Sequence, residues 1–457
     1  MLMGHLHLLQ EPDFEVCLRR FAVDHADDQG RCTFWMGPTT PALSVTRSED
    51  VQRLLKASSH RNVFPLMVQH VERFLGRRNI AVLTGKEWKT QRAVIVKALH
   101  GKAFMEHNVE AIKKATTILV DRLKQEDYTE DVGQIMRMLT LDIFGQSALH
   151  TNFGCCESLE PSRVAHAFEF MASDMVRRIS KDILNPASHL YSLPTPANQR
   201  HAKERAYLRE YVANLVQERR ELLVRPEEQV PHDLLTNLIQ NSEEGDDLSE
   251  ETLSDTIMSL LFAGHETSSV ALTYILYLLS KHPEVERNCL EEISTNPDEL
   301  VYLQAVIRET MRLYPPAIST TRTLERDMML DDILVPKDTY LYFPIWVIQR
   351  DSNNFTDPLQ FIPERWARKG DAGMWKHRDN DDDSIVPVGN PNAFVAFSAG
   401  ARSCAGQRFA MQEMTLALSV LLPHYHFEPP ADYVLTPHRD GIVQGPNGGI
   451  PMKIEKR

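Results

Sequence analysis

The chain has 457 residues, 42% hydrophobic and 25% charged, an ordinary globular composition with material for a large core. A formal net charge of −13 excludes the cationic footprint that nucleic-acid binding requires. Six cysteines without a CxxC or Cys/His cluster exclude a disulfide framework and read as reduced, intracellular thiols.

In chain order, the amino terminus MLMGHLHLLQEPDF lacks both the basic start and the sustained apolar core of a signal peptide. RCTFWMG and ALSVT follow as short strand candidates. The segment GKEWKTQRAVIVKALH, 85–100, is helical, and apolar residues at i, i+3 and i+4 predict helices over 106–126, 131–147, 163–180 and 198–222. Residues 223–249, with two prolines and an acidic NSEEGDD tract, read as a solvated connection around the short helix DLLTNLI. Three further helices are expected at 250–281, 283–294 and 298–313, then a strand in YLYFPIW at 340–346. Residues 367–392 are Gly-, Asp- and Asn-rich without periodicity, a surface meander, and PMKIE closes the chain as a strand. No apolar run reaches the roughly 18 residues of a membrane-spanning helix. The pattern predicts one mainly α domain with a small β region over 1–457.

Chemistry concentrates in FVAFSAGARSCAGQRFAMQEMTLALSVLL, 394–422. A loop running from Phe397 to Ser403 delivers Cys404 to the start of an amphipathic helix, where unpaired N–H groups and the macrodipole favour a thiolate, the form that binds metal. Gly400 suits a turn with positive φ, Gly406 removes a side chain where a flat cofactor would lie close, and Phe397 can shield the sulfur. The segment resembles the haem-binding signature of the cytochrome P-450 family, Phe-x-x-Gly-x-Arg-x-Cys-x-Gly, with Phe397, Gly400, Arg402, Cys404 and Gly406 in the fixed positions.

Three further patterns extend that resemblance. Glu309 and Arg312 in VIRETMRLYPP, with Arg365 in FIPERW, imply the family's buried structural network. LLFAGHETSS, 260–269, is similar to its oxygen-activation motif through Ala263, Gly264, Glu266 and Thr267. There the resemblance implies that Gly264 loosens the helix, Thr267 supplies a hydroxyl to the oxygen site and Glu266 relays protons; His265 reads as an interior residue. Trp88 and Arg92, at i and i+4, are similar to the haem-propionate contact, with Arg402 as a second cation and Arg322 as a third.

The implied fold is the family's α-helical prism with minor sheets, its haem core spanning about 250–425. The implied cofactor is heme b, iron protoporphyrin IX, ligated by Cys404. The implied reaction inserts one atom of O2 into a small lipophilic substrate of the fatty acid, terpenoid or sterol class. Electrons would come from NAD(P)H through a flavoprotein reductase or a ferredoxin. The Glu266–Thr267 pair favours this over oxygen-independent rearrangement of a hydroperoxide. Family topology places substrate contacts on the loop 60–83, on Phe262, Ala263, Ala317 and Ile318, and on Ile442 and Val443. Lys86, Lys89, Lys97 and Lys102 form an expected basic face for an acidic electron donor. Gln349-Arg350-Asp351 departs from the family's His-Arg-Asp and puts a histidine–propionate contact in doubt. The chain starts about where the hinge after a membrane anchor would end. As it stands it is expected to be soluble, and associated with the endoplasmic-reticulum membrane only if an anchor precedes it.

Overall fold

The computed structural model describes residues 20, 22–35, 40–61, 65–180, 190–225, 230–243, 249–370, 373–378, 390–440 and 443–457. Among the described residues twelve longer helices carry the architecture: α1 Ser48–Ala57, α2 Pro65–Leu75, α3 Gly85–His100, α4 Lys102–Leu123, α5 Val132–Phe144, α6 Arg163–Ser180, α7 Pro196–Leu223, α8 Leu234–Glu243, α9 Glu250–Lys281, α10 Pro283–Thr295, α11 Val301–Leu313 and α12 Gln407–Leu421.

Helix α9 is the spine. The Ser249 hydroxyl accepts from Thr252 N–H at 3.2 Å, Glu250 and Glu251 sit at the positive end of the dipole, and Lys281 sits at the negative end. From Ser268 to Leu279 nearly every residue of α9 is buried, as expected of a helix surrounded by others. It packs along α5, with α11 and α12 also against it. Thr195 caps α7 ahead of Pro196, and the Asp131 carboxylate caps α5 through Gly133 N–H at 2.8 Å.

The sheets are small. β1 Arg31–Trp35, β2 Pro41–Val45, β3 Thr320–Thr323 and β4 Tyr340–Phe343 form one sheet in the order β1-β2-β4-β3. β2 and β4 run parallel with Ala42 opposite Tyr340, and β3 runs antiparallel to β4 with Arg322 opposite Leu341. β5 Tyr425–Glu428 and β6 Met452–Lys456 pair with the two-residue strand Tyr128–Thr129.

The predicted helices are present, those at 85–100, 163–180 and 250–281 with the expected bounds and the others with shifted ends. The segment expected at 131–147 leaves α geometry at Phe144 and continues as a π turn, Gly145–Leu149. The helix expected from 298 starts at Val301, where the Glu292 carboxylate accepts from Tyr302 and Leu303 N–H at 2.8 and 2.9 Å. YLYFPIW is a strand only to Phe343; Pro344 offers no N–H, and a short helix Ile345–Ile348 follows. The meander contains a hairpin, Ala367–Lys369 against Trp375–His377. Among the described residues no helix is long and apolar enough to cross a membrane.

Candidate active site

The loop ahead of α12 is held by backbone geometry. Gly400 has φ +68°, and a Cβ there would lie 2.2 Å from the Leu55 carbonyl oxygen, so both conformation and space demand glycine. Cys404 N–H donates to the Phe397 carbonyl at 2.8 Å, closing the loop, and Gly406 N–H points at the cysteine sulfur. Phe397 is half-buried against the main core. Cys404 lies deep in the fold, yet its side chain is open to contact. Burial pushes its thiol above the ordinary range; the Gly406 N–H and the Arg92 charge oppose that. A Cβ at Gly406 would meet nothing within 4 Å, so the space expected for a flat group is open there.

Beside the loop, four guanidinium groups converge. Arg402 lies 3.9 Å from the ring centroid of buried Trp88, and Arg92 lies 5.8 Å from it. Arg402 donates to the Ser59, Ile80 and Leu83 carbonyls at 2.7, 3.2 and 2.5 Å. Arg92 donates to Ser403 Oγ at 3.4 Å. Arg322, delivered by β3, donates to Ser398 Oγ at 2.9 Å and shares Thr320 Oγ1 with Arg61, at 3.0 and 2.9 Å. The Nε atoms of Arg61 and Arg322 have no hydrogen-bond partner among the described residues. Burial, then the neighbouring guanidinium charges, lowers Arg322 and Arg402 to about 9 each. Of the charged groups among the described residues that bear on Arg322 and Arg402, only the Glu325 carboxylate, acting on Arg402, is anionic. A cluster of this kind suits an anion, carboxylate or phosphate, that could be held by several guanidinium groups at once. The structure brings Trp88, Arg92, Arg322 and Arg402 together beside the cysteine loop; Arg61 was missed, because a lone arginine in a loop carries no local signal.

The Glu309 network is complete. Its carboxylate accepts from Arg312 Nη2 and Nε at 2.8 and 2.9 Å, Arg365 Nε at 3.2 Å, Trp366 Nε1 at 2.9 Å and Ile362 N–H at 3.0 Å. Gln349 is buried and donates to the Met311 and Arg312 carbonyls, while its amide oxygen accepts from Val395 N–H at 2.8 Å. Where many family members have histidine, this chain has a tether between the end of α11 and the cysteine loop.

On α9, Ala263 is exposed between buried Leu261 and His265, so this face borders open space. Thr267 Oγ1 donates to the Ala263 carbonyl at 2.7 Å. Glu266 is partly exposed, 3.6 Å from Nε2 of His265. His265 is buried, with Nδ1 3.1 Å from the Leu261 carbonyl, which fits its reading as an interior residue.

Two expectations change. Gly264 does not loosen the helix, which runs unbroken through it; a Cβ there would lie 2.6 Å from the Phe144 ring, so glycine lets α5 and α9 approach closely. Ile318 is buried against Trp346, whose N–H donates to the Ile318 carbonyl, so it is core rather than pocket lining. Ile442 lies outside the described residues, as do the chain start and positions 62–64 of the predicted substrate loop. Phe262 and Ala317 are half-exposed, Phe262 edge-on to Phe74 at 5.5 Å, and Ala317 bridges to Val443. Lys86, Lys89, Lys97 and Lys102 are all exposed along α3 and the start of α4.

A family model described as cytochrome P-450 matches residues 3–451. Cytochrome P-450 4ae1 of Drosophila melanogaster is 31% identical over 367 residues, 76% of this chain and 70% of that protein. Cytochrome P-450 4F12 of Homo sapiens is 25% identical over 487 residues, 99% of this chain and 87% of that one. A crystal structure of a cytochrome P-450 superposes with a TM-score of 0.78 at 18% identity, covering 100% of this chain and 97% of the other.

Proposed function

Because this chain belongs to the cytochrome P-450 family, and is therefore a haem-thiolate monooxygenase that binds protohaem, we propose that Cys404 is the iron ligand and that a lipophilic molecule is oxidised beside Ala263 and Thr267. The observation that carries this reading is the placement of the one accessible cysteine, among the described residues, beside four convergent guanidinium groups.

When bound, protohaem supplies the oxidising chemistry: one atom of O2 enters a C–H or C=C bond and the other leaves as water, at the expense of two electrons. The chain's own groups do the rest. The Cys404 thiolate holds the iron, with Gly406 N–H directed at its sulfur. Arg61, Arg92, Arg322 and Arg402 neutralise the propionates, and Trp88 keeps two of these cations in register. The Thr267 hydroxyl, donated to the Ala263 carbonyl, presents its lone pairs toward the open side and rotates to donate there. Glu266, partly exposed, takes protons from solvent and passes them inward. Phe262, Ala263 and Ala317 present apolar surface, so the substrate is a fatty acid, terpenoid or sterol. Electrons arrive from NAD(P)H through a flavoprotein reductase or ferredoxin docked on the Lys86, Lys89, Lys97 and Lys102 face. Like the family's anchored members, the enzyme would work at the endoplasmic-reticulum membrane where an anchor precedes this sequence.

Reduction under carbon monoxide should give the thiolate–carbonyl absorption band, and Cys404→Ser should abolish it. An unchanged spectrum in the variant would remove Cys404 as ligand. A Soret-band shift screen of lipophilic compounds then identifies the substrate class.

A further inference from the structure

Glu413, on α12, is wholly buried, and neither of its carboxyl oxygens has a hydrogen-bond partner among the described residues. The hydroxyl of Ser268, buried on α9, is likewise unpartnered. The two face each other, since Ser268 is the one side chain that acts on the Glu413 carboxyl. The seam geometry agrees. Phe144 fills the space beside Gly264 on α9 and lies 6.2 Å edge-on to Phe409 on α12. One turn further along each helix, Gly264 is followed by Ser268 and Phe409 by Glu413. Glu413 therefore sits directly behind the turn of α9 that carries Glu266 and Thr267.

Among the described residues no charged group compensates this carboxyl. On α11, Glu309 and Arg312 pair with one another and are turned toward Gln360, Arg365 and Trp366. On α4, the Asn108 amide is engaged by Gln412. On α9, His265 is directed to the Leu261 carbonyl and to Glu266. A carboxylate without a countercharge in such a place is strongly disfavoured, so the group is carried as a neutral acid. Burial pushes it up to about 8, with Ser268 opposing.

We propose that Glu413 is a positioning residue: as a neutral acid it donates to Ser268, through a small rotation or a single internal water, and so fixes the α9 turn bearing the oxygen-side groups. This rests on the proposed function of that turn. When Glu413 ionises, Ser268 must become the donor, the charge draws in water, and the Ala263–Thr267 face shifts its polarity.

The test uses the haem-loaded protein reduced with dithionite under carbon monoxide, which needs neither substrate nor redox partner. In the infrared, a protonated-carboxyl band should vanish as pH rises through about 8, and Glu413→Gln should lack it from the start. The C–O stretch of the bound carbon monoxide, a probe of the α9 face, should shift with the same midpoint in the parent and stay flat in Glu413→Gln. Ser268→Ala, which removes the influence that holds the titration down, should move that midpoint upward and serves if the glutamine variant does not fold. The proposal is overturned if the parent shows no protonated-carboxyl band at neutral pH. It is equally overturned if the C–O stretch ignores the titration, which would leave Glu413 as packing. Failure of the proposed function is separable, because it removes the thiolate–carbonyl complex altogether and leaves the carboxyl band to be read.

Discussion

Replacing Glu309 with glutamine keeps the shape of a buried side chain and removes its charge. The carboxylate accepts five hydrogen bonds, from Arg312 Nη2 and Nε, Arg365 Nε, Trp366 Nε1 and Ile362 N–H. Glu309 and Arg312 are fully buried and Arg365 is 1% exposed. A glutamine offers a single acceptor oxygen, and its amide N–H groups would point at guanidinium donors. Arg312 also donates to the Gln349, Pro358 and Gln360 carbonyls, so it cannot leave for solvent without breaking the link between α11 and the segment behind the cysteine loop. Breaking a buried pair from one side costs about 3–5 kcal/mol, against about 0–1 kcal/mol for an exposed pair. Guanidinium chloride unfolding of the haem-loaded protein, followed by circular dichroism and by the carbon monoxide spectrum, measures the difference. A loss below about 1 kcal/mol with an unchanged slope would refute the view that this network carries the loop.

Gly264→Ala brings a methyl group to within 2.6 Å of the Phe144 ring, whose other neighbour is Phe409, so about 1–3 kcal/mol of stability should be lost in thermal unfolding. An unchanged melting temperature would show that α5 and α9 can separate freely. Arg61→Leu removes the guanidinium that no motif announced. Haem transfer to an apomyoglobin acceptor should accelerate about tenfold, equivalent to about 1.4 kcal/mol. An unchanged transfer rate would exclude Arg61 from the propionate site.

What the sequence made legible was whatever is written locally. The loop from Phe397 to Gly406 is a contiguous string whose glycines, cysteine and arginine each answer a backbone or charge requirement, and the structure keeps all of them. Trp88 and Arg92 share a helix face by spacing alone, as do Glu309 and Arg312. What the string concealed depends on partners far away in the chain. Gly264 reads as a flexible point until Phe144 is seen filling its missing Cβ. Ile318 is as apolar as a pocket residue until Trp346 covers it. Helices α1 and α2 were not foreseen, and the register of β3, which turns Arg322 toward Ser398, follows from pairing with β4.

The charge layout gives those long-range contacts a common logic. The chain is acidic as a whole, at −13, yet it gathers Arg61, Arg92, Arg322 and Arg402 around the cysteine loop, where among the described residues Glu325 is the one carboxylate that bears on them. Like charges in that proximity repel and are costly to bury, so the folded state is raised in energy there and an anion bound among them would lower it. Binding to the folded chain alone converts that relief into stability by mass action. Within α12 itself, Glu413 carries the reverse arrangement, an acid that no cation among the described residues compensates, which is tolerable only without charge. The loop ahead of α12 thus sits in a cationic cluster that an anion would relieve, and the helix that follows carries a buried acid held neutral.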